Sequence, residues 1–474
     1  MRNRLIALIL VLLFPVIWAG TQGDEYVILS WNDLGMHCAN KDFQKMCVLP
    51  PYNNLKAQVI KKGTTGTWPE VITTSFTVDY SIPGNTYSVG KTNFWTYANA
   101  LFGVTLAPNI GLTGVGLTGT MGTIDNNYFV DGVPVTPYQD NNLVSENPFQ
   151  LTLIELKDGS GTTIKSTQAV IPVSNEITCV QSGCHPSETA ILNEHEEEGG
   201  FNPNNTPILC ASCHSSNALG TPGHAGVPSL SLAIHDKHKS ITNNCYNCHP
   251  GPNTQCFRDV MHTGGMVCQD CHGSVANVAQ TIQNGRQPWL QEPSCDAAAC
   301  HGDNYAEETG KLFKNSRGHG NLYCSACHGS PHAIQPTVQP NDNVQNVTLQ
   351  GFEGVLRKCE VCHGYVPSLG GPHGYNPTGM EELSGTVPSK SELFPNYPNP
   401  FSYSTTIQFS VKVNSKVRLE ILSNTGARVL LLLNQEMTPG TYKVTTPDKR
   451  LVPGTYLVKF RAIDRTDYQK IIVI

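Results

Sequence analysis

Apolar and polar positions divide the chain into stretches of different texture. Residues 1–19 open with the basic MRNR and run into LIALILVLLFPVIWA, an apolar core closed by the small residues Ala19 and Gly20. A basic head, an apolar core and a small-residue end predict a secretory signal peptide cut near Ala19. A retained anchor is the alternative, because the apolar run is long and Pro15 interrupts it. Over residues 24–175, β-branched and aromatic residues gather in segments such as YVILSW and VITTSFTVDY, and FQLTLIELKDGSGTTIKSTQAVIPV predicts a hairpin turning at Asp158-Gly159. NFWTYANALF predicts a short helix. Gly-rich turns separate these segments, which predicts a mainly-β, sandwich-like N-terminal domain.

From 176 to 375 the periodicity disappears and Gly, Pro and Asn become frequent. Residues 376–392 read as a linker. Alternation returns over 393–474, where KVRLEIL, a turn at Asn424-Thr425-Gly426, ARVLLLL, GTYKVTT, GTYLVKFRA and DYQKIIVI predict six or seven short strands. The expected fold class is therefore multidomain: an N-terminal mainly-β domain, a central domain with little regular secondary structure, and a C-terminal all-β sandwich.

The chain has 474 residues, 39% of them hydrophobic, which is enough for several cored domains. Only 14% are charged, the net charge is −6 and no basic block occurs. That balance argues against nucleic acid as a partner and against a polybasic membrane patch. No segment after the signal approaches a membrane span, so none is expected in the mature chain.

Seventeen cysteines in an exported chain would suggest a disulfide framework. Their placement argues otherwise, because fourteen occur as pairs followed at once by His. Five pairs have two-residue spacers: Cys210, Cys213, His214; Cys245, Cys248, His249; Cys268, Cys271, His272; Cys324, Cys327, His328; and Cys359, Cys362, His363. In this arrangement two thiols attach to the vinyl groups of haem and the adjacent imidazole ligates the iron. Zinc is the alternative for paired cysteines, but a zinc ribbon does not require His directly after the second Cys. Two further units have four-residue spacers: Cys179, Cys184, His185 and Cys295, Cys300, His301. Ser182-Gly183 and Ala297 to Ala299 add little bulk and can bulge outward, so haem is the expectation here too, with a disulfide as the alternative.

With these seven units, residues 176–375 resemble the multihaem c-type cytochromes, some small members of which also carry haem on four-residue spacers. The resemblance implies seven covalent haem c groups, with the motif His residues as proximal ligands. Sixteen His less seven in the motifs leaves nine, and eight of these lie in the same region: His195, His224, His235, His238, His262, His319, His332 and His373. They are candidate distal ligands, nearly the number that bis-His ligation of seven irons needs. His195, His224 and His373 each follow a motif His by ten residues, which suggests a repeated local loop. Bis-His iron is closed and favours electron transfer over substrate binding. Roughly one haem per thirty residues would also supply the interior that the apolar side chains cannot.

In the N-terminal domain, Met36, His37, Cys38 and Cys47 offer a candidate soft-metal site such as copper. A Cys38-Cys47 disulfide is the alternative, with Cys256 left over. The GMHC and LPPYN stretches resemble N-terminal regions of other secreted multihaem cytochromes. FPNYPNPF, NTGARV, PGTYKV, VPGTYLVKF and the final KIIVI resemble the type A sorting domain of the type IX secretion system, over residues 393–474. That resemblance implies passage across an outer membrane, with release or surface attachment; an adhesion sandwich is the alternative.

The expected function is an exported seven-haem c-type cytochrome, carrying electrons at or beyond the outer membrane to other redox proteins or extracellular acceptors. The alternatives are a reductase of a small nitrogen or sulfur oxyanion with one open haem, and a subunit of a cytochrome filament.

Overall fold

YVILSW lacks polar alternation because both of its faces are covered. In the computed structural model it forms the strand Tyr26–Trp31, buried at every position. It pairs with Asn54–Lys61, which also pairs with Glu70–Ile72 and Asn127–Asp131; Gly122–Ile124 completes a five-stranded sheet. A second five-stranded sheet runs in the order His37–Cys38, Thr163–Ser174, Phe149–Lys157, Thr77–Ser81, Gly119–Thr120. Tyr26, Ile28 and Val59 of the first sheet meet Tyr80, Ile154 and Ile171 of the second in one core. The intervening residues Val27, Leu29 and Trp31 face the other way and pack with Tyr323, Ala326, Leu356 and Val361. A strand buried on both faces reads as a continuous apolar run. The break in texture at 175/176 is therefore not a break in packing, because the central region completes the core of the first sheet.

The structure describes residues 22–474 except 65–66, 198, 200, 252, 303–306, 309, 366, 368–370, 375–379, 385–386 and 447–450. The signal segment read over 1–19 lies outside the described residues. The hairpin forms as predicted, Phe149–Lys157 pairing with Thr163–Ser174. Its turn is held by the Asp158 carboxylate, which accepts from the N–H groups of Ser160 and Thr162 at 2.9 and 3.0 Å. The predicted helix is Phe94–Phe102. Phe94, Ala98 and Leu101 fall on one face and pack with Phe43 and Cys47, and Gly103 ends the helix at φ 68°.

The central region holds more helix than its texture suggests: Glu188–Glu197, Leu230–His238, Val275–Gln283 and Pro340–Gln350, besides short turns at the motifs. The last of these has a buried face made of Asp342, Asn343, Gln345, Asn346 and Gln350. Those side chains serve backbone and charged partners. Gln345 accepts from the Ser30 N–H at 2.7 Å, and Asn346 donates to the carbonyls of Cys327 and Gly354. Asp342 pairs with Arg258 at 2.6 and 2.8 Å, and Arg258 also donates to the Gly35 carbonyl at 2.7 Å.

Among the described residues, 392–474 form seven strands, within the six or seven predicted there, and Met380–Ser384 adds an eighth to the sandwich. One sheet runs Met380–Ser384, Gly440–Thr445, Thr406–Val411, Glu392–Leu393; the other runs Arg428–Met437, Ser415–Ser423, Gly454–Arg461, Thr466–Val473. Phe409, Val417, Ile421, Val444, Phe460 and Ile471 lie in its core. Met380–Ser384 falls inside the segment read as a linker, so that segment contributes an edge strand to the sandwich. Among the described residues, no helix is long and apolar enough to cross a membrane.

Candidate functional site

Each two-residue-spacer motif sits on one turn of helix: Cys210–Cys213, Cys245–Asn247, Cys268–His272, Cys324–His328 and Glu360–His363. The turn returns the motif His to the first Cys. The N–H groups of His214, His249 and His363 donate to the carbonyls of Cys210, Cys245 and Cys359 at 3.1, 2.9 and 2.9 Å. The four-residue-spacer motifs reach the same closure by a longer loop. His185 N–H donates to the Cys179 carbonyl at 3.1 Å, and His301 N–H to the Cys295 carbonyl at 3.3 Å. Gly183, at φ 78°, takes the left-handed conformation that the first of these loops requires.

Six of the seven motif imidazoles lie against a second imidazole from among the eight others. The pairs and their ring-centre separations are His185 and His238, 6.1 Å; His214 and His195, 5.9 Å; His249 and His235, 6.2 Å; His272 and His332, 6.1 Å; His328 and His373, 5.8 Å; His363 and His319, 5.9 Å. Two imidazoles on opposite sides of one metal, each with a metal–nitrogen bond of about 2 Å, place their ring centres about 6 Å apart. The six pairs therefore have the spacing that two imidazoles on one haem iron would need.

Three of these rings are aimed by the backbone. The Nδ1 atoms of His235, His238 and His214 bond the carbonyls of Ser231, Ile234 and Pro228 at 2.7, 2.7 and 2.8 Å. A carbonyl only accepts, so Nδ1 carries the proton and Nε2 keeps its lone pair for a metal. Burial holds His249, His328 and His332 neutral, with pKa values lowered to about 4. Neutral imidazole is the ligating form.

The ten-residue spacing is not the spacing of the pairs. His195 meets His214 instead of His185, and His373 meets His328 instead of His363. These two loops carry their His to a neighbouring motif. His301, His224 and His262 make no imidazole pair among the described residues. His262 lies against Phe257 and the Gln255 amide, and the His224 N–H donates to the Cys213 carbonyl at 2.7 Å.

No disulfide joins any of the seventeen cysteines, so Cys38 and Cys47 are not bridged. They lie on separate two-residue strands, one beside Thr163–Ser174 and the other beside Ile208–Leu209. Met36 is buried, and the Nε2 of His37 faces Asp33 at 3.4 Å. Burial pushes the Cys38 thiol up to about 11 and the Cys256 thiol up to about 12; Cys268 and Cys38 add to the shift at Cys256. No group of three or more His, Cys, Asp or Glu side chains able to hold a metal ion occurs among the described residues. A haem iron asks for only two protein donors, since the porphyrin supplies the rest.

No curated protein matches the chain. A family described as the secretion system C-terminal sorting domain matches residues 396–474. Those residues are a type IX sorting domain. The chain is thus addressed to that machinery, for secretion or for attachment at the cell surface. Two solved structures were compared over nearly the whole length. One is a biofilm-associated protein BSP domain, at 8% identity and TM-score 0.16, with 96% of this chain and 53% of that one covered. The other is an FMN-binding β-glucuronidase from Facaelibacterium prausnitzii L2-6, at 11% identity and TM-score 0.14, with 94% and 73% covered. The chain thus spans about half the length of the first, and neither score carries an argument about fold.

Proposed function

We propose that the mature chain is an exported seven-haem c-type cytochrome that carries electrons at or beyond the outer membrane, its sorting domain being the means of export. The observation that carries the proposal is the set of six imidazole pairs at 5.8–6.2 Å, each joining a motif His to a His outside the motifs.

When bound, haem supplies reversible one-electron chemistry at iron. The chain's own residues would do the rest. Each Cys pair would attach the group, each motif His would ligate it, and His195, His235, His238, His319, His332 and His373 would supply the second imidazole at six of the seven sites. The backbone carbonyls behind His214, His235 and His238 fix ring orientation, and burial keeps the buried rings neutral. At the six paired sites two imidazoles would leave no exchangeable position, which suits electron transfer better than reduction of a small oxyanion; the His301 site has no second imidazole among the described residues. The partners are other redox proteins or extracellular electron acceptors.

Intact mass of the secreted chain tests the count. The expected result is seven haem increments on the chain cut near Ala19. Five would remove the two long-spacer sites from the proposal, and none would refute it. Carbon monoxide titration of the reduced protein tests the ligation: the proposal expects no binding at the six paired sites, binding there would overturn the pairing, and oxyanion-dependent turnover at a site that binds carbon monoxide would favour the reductase.

A further inference from the structure

We propose that six of the motifs lie along one path in the order second, first, third, fourth, sixth, seventh, with the fifth beside the sixth, so that redox partners meet the chain at the Cys210-Cys213-His214 and Cys359-Cys362-His363 ends. The proposal rests on the haem reading above and adds the order of sites and the two ports.

Contacts between successive members fix the order. The helix Glu188–Glu197 follows the first motif closely and carries His195 to His214, which joins first to second. The Thr178 N–H, beside Cys179, donates to the Cys248 carbonyl at 3.4 Å. The helix Leu230–His238 presents His238 to His185 and His235 to His249, which joins first to third through one turn of helix. The Gln269 amide, inside the fourth motif, donates to the carbonyl of Asn243, just before Cys245, at 2.6 Å, which joins third to fourth. His332, just beyond His328 of the sixth motif, meets His272 of the fourth at 6.1 Å, which joins fourth to sixth.

The Glu307 carboxylate accepts from the N–H groups of Cys295 and Phe313 at 3.1 and 3.0 Å. The Phe313 ring then meets His328 edge-on at 6.4 Å, which joins fifth to sixth. Sixth and seventh are tied by a reciprocal exchange: His319, upstream of the sixth motif, pairs with His363 of the seventh, and His373, downstream of the seventh, pairs with His328 of the sixth. Cys327 and Cys362 also pack against the same apolar cluster.

Along this path one electron enters for each that leaves; no bond forms or breaks and no proton is required. The first motif of the sequence is thereby an interior site and the second a terminal one. At the seventh-motif end, Trp68 is 70% exposed and stands edge-on to His363 at 5.7 Å, an aromatic surface open to a partner.

The test uses the full haem-loaded chain with a ruthenium polypyridyl photosensitiser attached through Trp68→Cys and a sacrificial amine as electron source. His195→Met marks the second iron by the ligand-field spectrum of a methionine ligand; no such spectrum would overturn the link between His195 and His214. A flash is expected to reduce the marked iron. When the first motif is also removed by Cys179→Ala and Cys184→Ala, that reduction is expected to be lost, and survival would overturn the order. In the same background with the mark moved to the third iron by His235→Met, reduction is expected to persist, which also shows that the remaining chain is folded. Loss there would overturn the order too, because the first motif would then stand between the third and the seventh. A chain with no haem absorbance before any flash fails the haem reading itself, and is recognised as such.

Discussion

At Cys179 and Cys295 the two extra spacer residues enlarge the loop but leave the bond from the motif His N–H to the first Cys carbonyl in place, at 3.1 and 3.3 Å. The long spacer therefore changes loop shape without changing where the imidazole emerges. The reciprocal exchange at the sixth and seventh motifs can be tested at the same scale. A His373→Met substitution is expected to give a methionine-ligand spectrum that disappears with Cys324→Ala and Cys327→Ala and persists with Cys359→Ala and Cys362→Ala. The opposite dependence would restore local ten-residue ligation. Arg258 is a second decisive residue. Its guanidinium is buried against Asp342 and holds the Gly35 carbonyl, so it ties the central region to the N-terminal sheets. Arg258→Met leaves a buried carboxylate unpaired and is expected to cost about 3–5 kcal/mol; Arg258→Met with Asp342→Leu should recover much of that loss. Denaturant unfolding of the three proteins checks the ranking, and a double variant no more stable than the single one would contradict it.

Secondary elements were legible in the sequence where one face is apolar and the other wet. The hairpin at Asp158, the helix Phe94–Phe102 and the alternating strands of the sorting domain obey that rule. The helix Pro340–Gln350 was not legible, because its buried face is amide and carboxylate and leaves no apolar stripe to read. Gln345 shows what that face does. Gln345→Ala strands the buried Ser30 N–H and is expected to cost about 1–3 kcal/mol, read as a lower unfolding midpoint; an unchanged midpoint would mean that water replaces the amide. The edge strand Met380–Ser384 was hidden for a related reason: its polar, Gly-flanked sequence looks like a connector until Gly440–Thr445 pairs with it. A fragment 376–474 should therefore melt higher than a fragment 393–474, and equal melting temperatures would make the strand dispensable. The motif cysteines and histidines were plain from spacing alone. The pairing of the distal candidates was not, because it depends on which loops the tertiary fold brings together.

Over the whole molecule, buried apolar side chains are unevenly shared. The N-terminal sheets and the sorting domain each hold a continuous core of their own. Among the described residues between 176 and 300 the buried apolar residues, prolines aside, are Leu192, Ala211, Phe257, Val275, Ala279 and Ile282, scattered over separate helices and loops. So little apolar burial cannot offset the cost of ordering that length of chain, about 1–2 kcal/mol per residue for the backbone alone. Covalent haem would supply the missing contacts, so attachment and folding of this segment should be one event. Residues 323–361 differ, since Tyr323, Ala326, Leu356 and Val361 pack directly on Val27, Leu29 and Trp31. Chain produced without haem-attachment machinery is therefore expected to be cut first within 176–300 by a non-specific protease. The sorting domain should survive intact, and the N-terminal sheets should persist only in fragments that retain 323–361. Mass mapping of the digest reads these outcomes directly. A haem-free segment 176–300 as resistant as the sorting domain would show that its polar helices and loops stand without a cofactor, and would remove the structural need for haem there.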